Sequence, residues 1–309
     1  MGMFVAQRLL WLILTMLAVS MLTFGLIFLR GDPALLLVPT KTGQAPDPAL
    51  VERVRKERGL DKPLPIQYAT YLSHLLAGDM GYSYYLRRPV KEVLFEKFPN
   101  TALLAILIVV TSLAIGIPLG MIAALRHNSV FDRVILVYNT AAVAVPSFLL
   151  ALFLIFFVAY SWKLLPFGGT GDPRHLILPV LSVALPSAAA YAMFLRTSML
   201  NQVRSDYVRT ASAKGLTPRA VAVRHMLRNA LIPLITLISI DFAYLLTGIV
   251  LIEQIFSYPG IGSQVLIAVR NKDIPVVMGS VFFGALLIGV GNLVADLVAS
   301  RLDPRIVYR

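Results

Sequence analysis

The stretch LLWLILTMLAVSMLTFGLIFL, residues 9–29, runs for 21 residues without a charge between Arg8 and Arg30. Coiled as a helix at about 1.5 Å per residue it is about 31 Å long, which matches a hydrocarbon core of about 30 Å. It reads as a membrane-crossing helix. A cleaved leader would have a shorter apolar part and small residues before the cut, whereas this stretch ends FGLIFLRGDP. Ala6 stands where a myristoylation signal calls for Ser or Thr, so the helix itself is the expected anchor.

Working outward, the 309 residues are 58% hydrophobic and only 14% charged, with mean hydropathy +0.77. That leaves too little polar surface to cover a water-soluble globule of this size. Further apolar windows at 101–125, 134–160, 176–195, 231–256 and 275–300 predict an all-α polytopic membrane protein with six transmembrane helices. Four parts follow. Residues 1–30 form a tail and the first helix, and 31–100 a polar insert with short amphipathic helices at ALVERVRKERG and IQYATYLSHLL. Residues 101–300 form a five-helix core containing a long polar loop at 196–230, and 301–309 form a tail.

The net charge of +12 would suggest nucleic acid in a soluble protein, but here its placement matters first. The N-terminus, 126–133, 196–230 and 301–309 together hold 13 Lys or Arg, seven of them in 196–230. The opposite short loops hold four: Lys163, Arg174, Arg270 and Lys272. The excess places both termini and the 196–230 loop in the cytoplasm and leaves no call for nucleic acid.

Several spans contain helix breakers: GIPLG at 116–120, Pro146, Pro179, Pro186 and Pro233. Such breaks persist in a bilayer only where packed on other helices or facing a cavity. Tight packing through small residues such as SAAAYA at 187–192 and a conduit both fit.

Within the polar loop, SDYVRTASAKGLTPRAVAVRHMLRN at 205–229 carries Arg209, Lys214, Arg219, Arg224 and Arg228 against a single Asp206. Ser205 and Asp206 suit the start of a short helix, Gly215 a left-handed stop, and Thr217-Pro218 the cap and first turn of a second helix. In that second helix Val221, Ala222, Met226 and Leu231 alternate with Arg219, Arg224, His225 and Arg228, an amphipathic pattern. The elbow could hold anionic lipid or dock a cytoplasmic partner. A DNA-binding helix-turn-helix is disfavoured, because both ends are tethered to the membrane.

Enzymatic signatures are missing. No Gly-Lys pair exists to form a phosphate-binding loop, and no G-x-S-x-G elbow occurs. The four His lack metal-ligand spacing, and without any Cys there is no thiolate chemistry. Asp241 lies ten residues past Leu231, about 15 Å into its span, where a charge costs roughly 2.5–3.5 kcal/mol and calls for a partner or a wet cavity. Asp241 lining a pathway and meeting a cationic group, such as a peptide amino terminus, stands beside an interhelical hydrogen bond. Tyr244 and Asn139 are further pathway candidates. On one helix Asp241 and Glu253 would sit about 120° apart and form no carboxylate pair, and Glu253 and Asp296 are expected to face headgroups.

The stretch DYVRTASAKGL…RHMLRNALIP resembles the cytoplasmic loop of the permease subunits of binding-protein-dependent ABC importers, in the dipeptide/oligopeptide/nickel branch. RGDPA, GLDKPLPIQYATYL, GDMGYSYYLRRPV, VPSF, LILPVLSVAL, IEQIFSYPGIG and the terminal LDPRIVY resemble that branch in order and spacing, over essentially the whole chain. The resemblance implies a type I importer permease fold in a bacterial inner membrane. It implies a second permease, two ATPase subunits that bind ATP and magnesium, and an extracytoplasmic binding protein as partners, with no cofactor in this chain. It carries an ATPase-docking role onto Arg209, Thr210, Ala211, Lys214, Gly215 and Leu216. Two departures are Ser212, where the branch usually has a basic residue, and Arg209-Thr210 in place of an acidic opening. The expected function is peptide import. Nickel chelate, glutathione or another small solute are alternative cargoes, and a proton-coupled transporter using Asp241 or a membrane enzyme are alternative classes.

Overall fold

The computed structural model describes residues 2–29, 34–35, 47–57, 59–83 and 85–302; residues 303–309 of the expected 301–309 tail and most of RGDPA lie outside the described residues. Among the described residues the long apolar stretches are mostly helical, because a backbone in hydrocarbon must satisfy its own hydrogen bonds. Helix α1 spans Gly2–Leu29. The insert supplies α2 (Pro48–Glu57), α3 (Leu64–Leu76) and a small antiparallel hairpin of β1 (Tyr82–Ser83) and β2 (Arg88–Pro89). Then come α4 (Val90–Leu125), α5 (Val130–Ala144), and α6 (Ser147–Leu154), which runs on as a π-helical turn over Ile155–Ser161. The remaining long helices are α7 (Ile177–Gln202), α10 (Leu227–Leu246) and α13 (Ile274–Leu302). Between them lie the short α8 (Asp206–Ala213), α9 (Pro218–Val221), α11 (Val250–Ile255) and α12 (Ile261–Arg270).

Among the described residues five helices are long and apolar enough to cross a membrane, and α5 with α6 make a sixth if counted as one crossing. Packing supports that count. Leu104 and Ile108 of α4 pack with Val180 and Ala184 of α7, and further along Gly116 and Gly120 meet Ala188 and Ala192. The two helices therefore rise side by side in the same direction, and the chain between them must cross back once. The crossing at 134–160 is not one straight helix: α5 and the α6 segment meet at 99°. Pro146 lacks an amide hydrogen and pushes Val145 to φ −99°, ψ 114°, outside the helical region. Pro99, Pro118, Pro186 and Pro233 stay within continuous helices.

The α4–α7 contact is made by small residues. A β-carbon on Gly116 would lie 2.8 Å from the Ala188 carbonyl oxygen, and one on Gly120 2.5 Å from that of Ala192. Backbones this close are the small-xxx-small arrangement of membrane helices. At this interface the breakers serve packing.

The starts of α4 and α13 share a cluster of Val90, Leu94, Ile261, Ala268, Val276 and Phe283. Those two helices thus run in parallel, and Arg8 near the start of α1 pairs with Asp296 near the end of α13 at 3.0 Å. The start of α1, the end of α13, the 126–129 turn and the 203–226 loop therefore lie at one end of the bundle, here called the basic end. Asp296, near the end of its span, is held in this pair. At the opposite end, α3 packs on α1, with Ser20 and Tyr68 hydroxyls 2.8 Å apart and Phe24 against the rings of Tyr68 and Tyr71.

Two expected boundaries move. Helix α4 starts at Val90 rather than near Thr101, because Val90, Val93 and Leu94 are buried while Arg88, Glu96 and Lys97 form ion pairs on the outer face. The 231–256 window breaks at Gly248, whose φ is +102° and where a β-carbon would lie 2.6 Å from the Gly262 amide nitrogen. Asp241 and Glu253 thus occupy different helices, and the angle expected between them on one helix does not arise.

Glu253 is fully buried rather than facing headgroups. Its carboxylate accepts from the Thr101 hydroxyl at 2.9 Å and the Ser263 amide at 2.8 Å, while Thr101 accepts from the Ile261 amide. Asn100 donates to the Pro259 carbonyl, and Tyr258 donates to that of Asn100. The IEQIFSYPGIG run is thereby clamped to α4, with the carboxylate at the positive start of α12. Gly260 is required here, since a β-carbon would meet the Glu253 carboxylate at 2.3–2.5 Å.

Candidate functional site

The 205–229 elbow lies at the basic end and is built as its residues dictate. Ser205 is the extended N-cap of α8, although its hydroxyl donates to Gln202 at 2.6 Å instead of capping the helix amides. Tyr207 reinforces the turn by donating to the Gln202 side chain. After α8, Gly215 takes φ +80°, a left-handed stop that a residue with a β-carbon enters at a cost of about 1–2 kcal/mol. Thr217 then accepts from the Ala220 amide at 3.3 Å with Pro218 in the first turn of α9. A π-helical turn over Ala222–Met226 leads without interruption into α10.

The elbow has two faces. Val208, Ala211, Val221, Ala222 and Met226 are buried in a single cluster with Ala124 of α4, Tyr191, Leu195 and Met199 of α7, and Ala230 and Leu234 of α10. Arg209, Thr210, Ser212, Lys214, Gly215, Leu216, Arg219, Arg224 and Arg228 are exposed. Of the six expected docking residues, five therefore share the open face, while Ala211, at 6% exposure, points inward as a core residue. On α8 the buried stripe falls on Val208 and Ala211, with Tyr207 half-buried.

A charge clamp at the same end was not foreseen. Arg196 of α7 donates two hydrogen bonds to the nearly fully buried Asp132 of α5, at 2.6 and 2.8 Å, and its Nη2 lies 3.0 Å from His127 Nδ1. The Asn128 amide donates to the same carboxylate. Arg196 had counted only as a loop charge. Both residues fall just outside the apolar windows 134–160 and 176–195, so hydropathy assigned them to loops, whereas α5 and α7 run past those windows and carry the pair.

The pathway candidates separate. Asp241 accepts a hydrogen bond from Tyr191 at 2.9 Å, and Tyr191 is otherwise sealed in the elbow cluster. Tyr244, one turn further along α10, is 60% exposed. Asn139 of α5 borders a groove of about 550 Å³ between α5, α7 and α10, lined also by Phe194, Thr197, Ser198, Asn201 and Pro233. Asp241 and Tyr244 do not line it. Among the described residues no group of three or more His, Cys, Asp or Glu is placed to hold a metal ion.

Comparison with known proteins follows the same lines. A family model described as the inner membrane component of binding-protein-dependent transport systems matches residues 116–308, and its N-terminal counterpart matches residues 1–105. The chain is 36% identical over 318 residues to the probable peptide ABC transporter permease protein y4tP of Sinorhizobium fredii (strain NBRC 101917 / NGR234), covering 100% of both chains. It is also 36% identical to the glutathione transport system permease protein GsiC of Shigella flexneri serotype 5b (strain 8401), over 99% of both. Among solved structures, a chain of the MetNI methionine ABC transporter, in inward-facing conformations, superposes with TM-score 0.52 at 15% identity, over 67% of this chain and 96% of that one. That superposition establishes the fold as that of a type I importer permease.

Proposed function

Because the chain belongs to the family of binding-protein-dependent transport-system inner-membrane components, we propose that it is one permease of a pair that imports peptides, driven by two cytoplasmic ATPase subunits. An extracytoplasmic binding protein delivers the cargo. The membrane is a bacterial inner membrane, and the basic end faces the cytoplasm, as its Lys and Arg excess favours. ATP and magnesium belong to the ATPases, since this chain has no phosphate-binding loop.

The observation that carries this reading is the two-faced elbow. Its outer face offers Arg209, Thr210, Lys214, Gly215 and Leu216 to a partner, and its inner face is one packed body with α4, α7 and α10. Packed cores move as units rather than deform, so a push on the elbow moves those helices together. The Asp132–Arg196 clamp adds α5 to the moving body. When the ATPases close and reopen, the bundle alternates its access between the two sides. Peptide cargo is supported by the relatives named for peptide and for glutathione, which is itself a tripeptide. The proton-coupled reading is weakened because Asp241 already has a structural partner in Tyr191.

The test uses the absence of native Cys. Leu216→Cys in the assembled importer, treated with a short thiol-to-amine cross-linker, is expected to yield an adduct with the ATPase subunit. Adducts confined to aminolipid, with none to the ATPase, would assign the elbow to the membrane surface instead.

A further inference from the structure

A second groove, of about 370 Å³, opens between α1 and α13 beside the point where Leu12 packs onto Gly289. It runs from Arg8 to Val19 on α1 and from Asp296 back to Ala285 on α13, eleven residues along each helix. At about 1.5 Å per residue that is about 16 Å, or half of a hydrocarbon core of about 30 Å. The groove thus begins at the basic end and stops near the middle of the bilayer, a depth of one leaflet. Its polarity is graded along that length. Arg8 and Asp296 stand at the mouth with Nη1 and Oδ2 3.0 Å apart, their side chains 43% and 24% exposed. One turn inward lie the exposed Trp11 and Asn292, and the Asn292 carboxamide makes no hydrogen bond among the described residues. Farther in, the walls are Val19, Ala285 and Ile288, and the Thr15 hydroxyl is spent on the Trp11 carbonyl at 2.8 Å.

This lining suits an occupant with a charged head of both signs, a polar waist and a hydrocarbon tail one leaflet long. A phospholipid has that shape, and the charges at the mouth choose among headgroups. The Arg8 guanidinium presents a fork of N–H donors that matches a phosphate. The Asp296 carboxylate has about four lone-pair sites and so has room for a second donor beside Arg8. A headgroup that is only anionic would bring its charge against Asp296. A choline headgroup would offer methyl groups where the carboxylate accepts hydrogen bonds, whereas a primary ammonium offers three N–H donors. At the depth of the glycerol esters, Asn292 can donate to an ester carbonyl, and Trp11 has the amphipathic ring that favours this layer. We propose that the α1–α13 groove binds one phosphatidylethanolamine of the leaflet at the basic end, its phosphate on Arg8, its ammonium on Asp296, an ester carbonyl on Asn292 and one acyl chain along the groove. The lipid extends the seam between α1 and α13, and the inference is independent of what the protein transports.

The experiment uses Trp11 as the reporter, since Trp162 is the only other tryptophan of this chain. The complete importer, carrying Trp162→Phe here and Phe for every Trp of its partner subunits, is reconstituted in phosphatidylcholine vesicles. A fixed fraction of the lipid is replaced by tail-brominated phosphatidylethanolamine, phosphatidylglycerol or phosphatidylcholine, and quenching of Trp11 gives the relative affinity of each at the groove. The expected result is at least threefold preference for phosphatidylethanolamine over both others, falling stepwise as its ammonium is N-methylated, and abolished by Asp296→Asn. The methylation series varies the lipid alone, so it decides the matter even if the variant fails to fold. Equal quenching by the three lipids would reduce the groove to unselective lipid contact and overturns the proposal, as does a preference for phosphatidylglycerol. Quenching by none of them also overturns it, because another subunit would then cover the groove.

Discussion

At the scale of single residues, the elbow turns on Gly215. Its φ of +80° with no atom within 4 Å of a would-be β-carbon means that substitution there acts through backbone conformation and not through a clash. Gly215→Val is expected to leave membrane insertion and complex assembly intact while reducing ATP-driven peptide uptake at least tenfold, measured in vesicles together with ATP turnover. Wild-type uptake by this variant would remove the elbow from the mechanism. Glu253 is the second such residue. Glu253→Ala leaves the Thr101 hydroxyl and the Ser263 amide without their acceptor, each at about 1–3 kcal/mol, so the thermal transition of the purified protein should fall by several degrees. An unshifted transition would mean that the clamp is incidental. The stop at Gly215 was legible in the sequence because only a few residue types tolerate a left-handed turn. The burial of Ala211 and Glu253 was not, because it depends on helices elsewhere in the chain, Thr101 lying 152 residues from Glu253.

At the scale of elements, the apolar windows located the helices and Pro marked some of their limits. What hydropathy could not distinguish was a Pro that breaks a helix from one that a neighbour accommodates. Pro146 separates two helices at 99°, while Pro118 sits inside α4, flanked by the two glycines that meet α7. The α4–α7 contact yields the sharpest prediction at this scale. Gly120→Val drives a branched side chain into the Ala192 carbonyl, an overpacking that costs about 1–3 kcal/mol, and should lower the thermal transition more than the same change at Gly25, where a β-carbon meets nothing within 4 Å. Equal effects at the two sites would show that α4 and α7 do not approach so closely. Helix α4 also shows why charge misplaces a boundary: Lys91, Glu92, Glu96 and Lys97 made its first turns look like part of the polar insert, yet Val93 and Leu94 between them are buried.

At the scale of the whole molecule, the pairing of Arg8 with Asp296 and the parallel run of α4 and α7 put the start of α1, the end of α13 and the elbow at one end of the bundle. Counting loop charges led to the same grouping from an unrelated principle. A cysteine introduced at Ser212 should accordingly react with a membrane-impermeant maleimide only from the cytoplasmic side of intact cells and inverted vesicles, and one introduced at Gly171 only from the other. Transport itself distinguishes a motor-driven permease from a self-sufficient carrier. The decisive measurement is peptide uptake into vesicles containing this chain, its partner permease, the ATPases and the binding protein, with ATP or a proton gradient as the sole energy source. A permease driven through its elbow takes up peptide with ATP alone, and Gly215→Val stops it; uptake driven by a proton gradient in vesicles that lack the ATPases would contradict that.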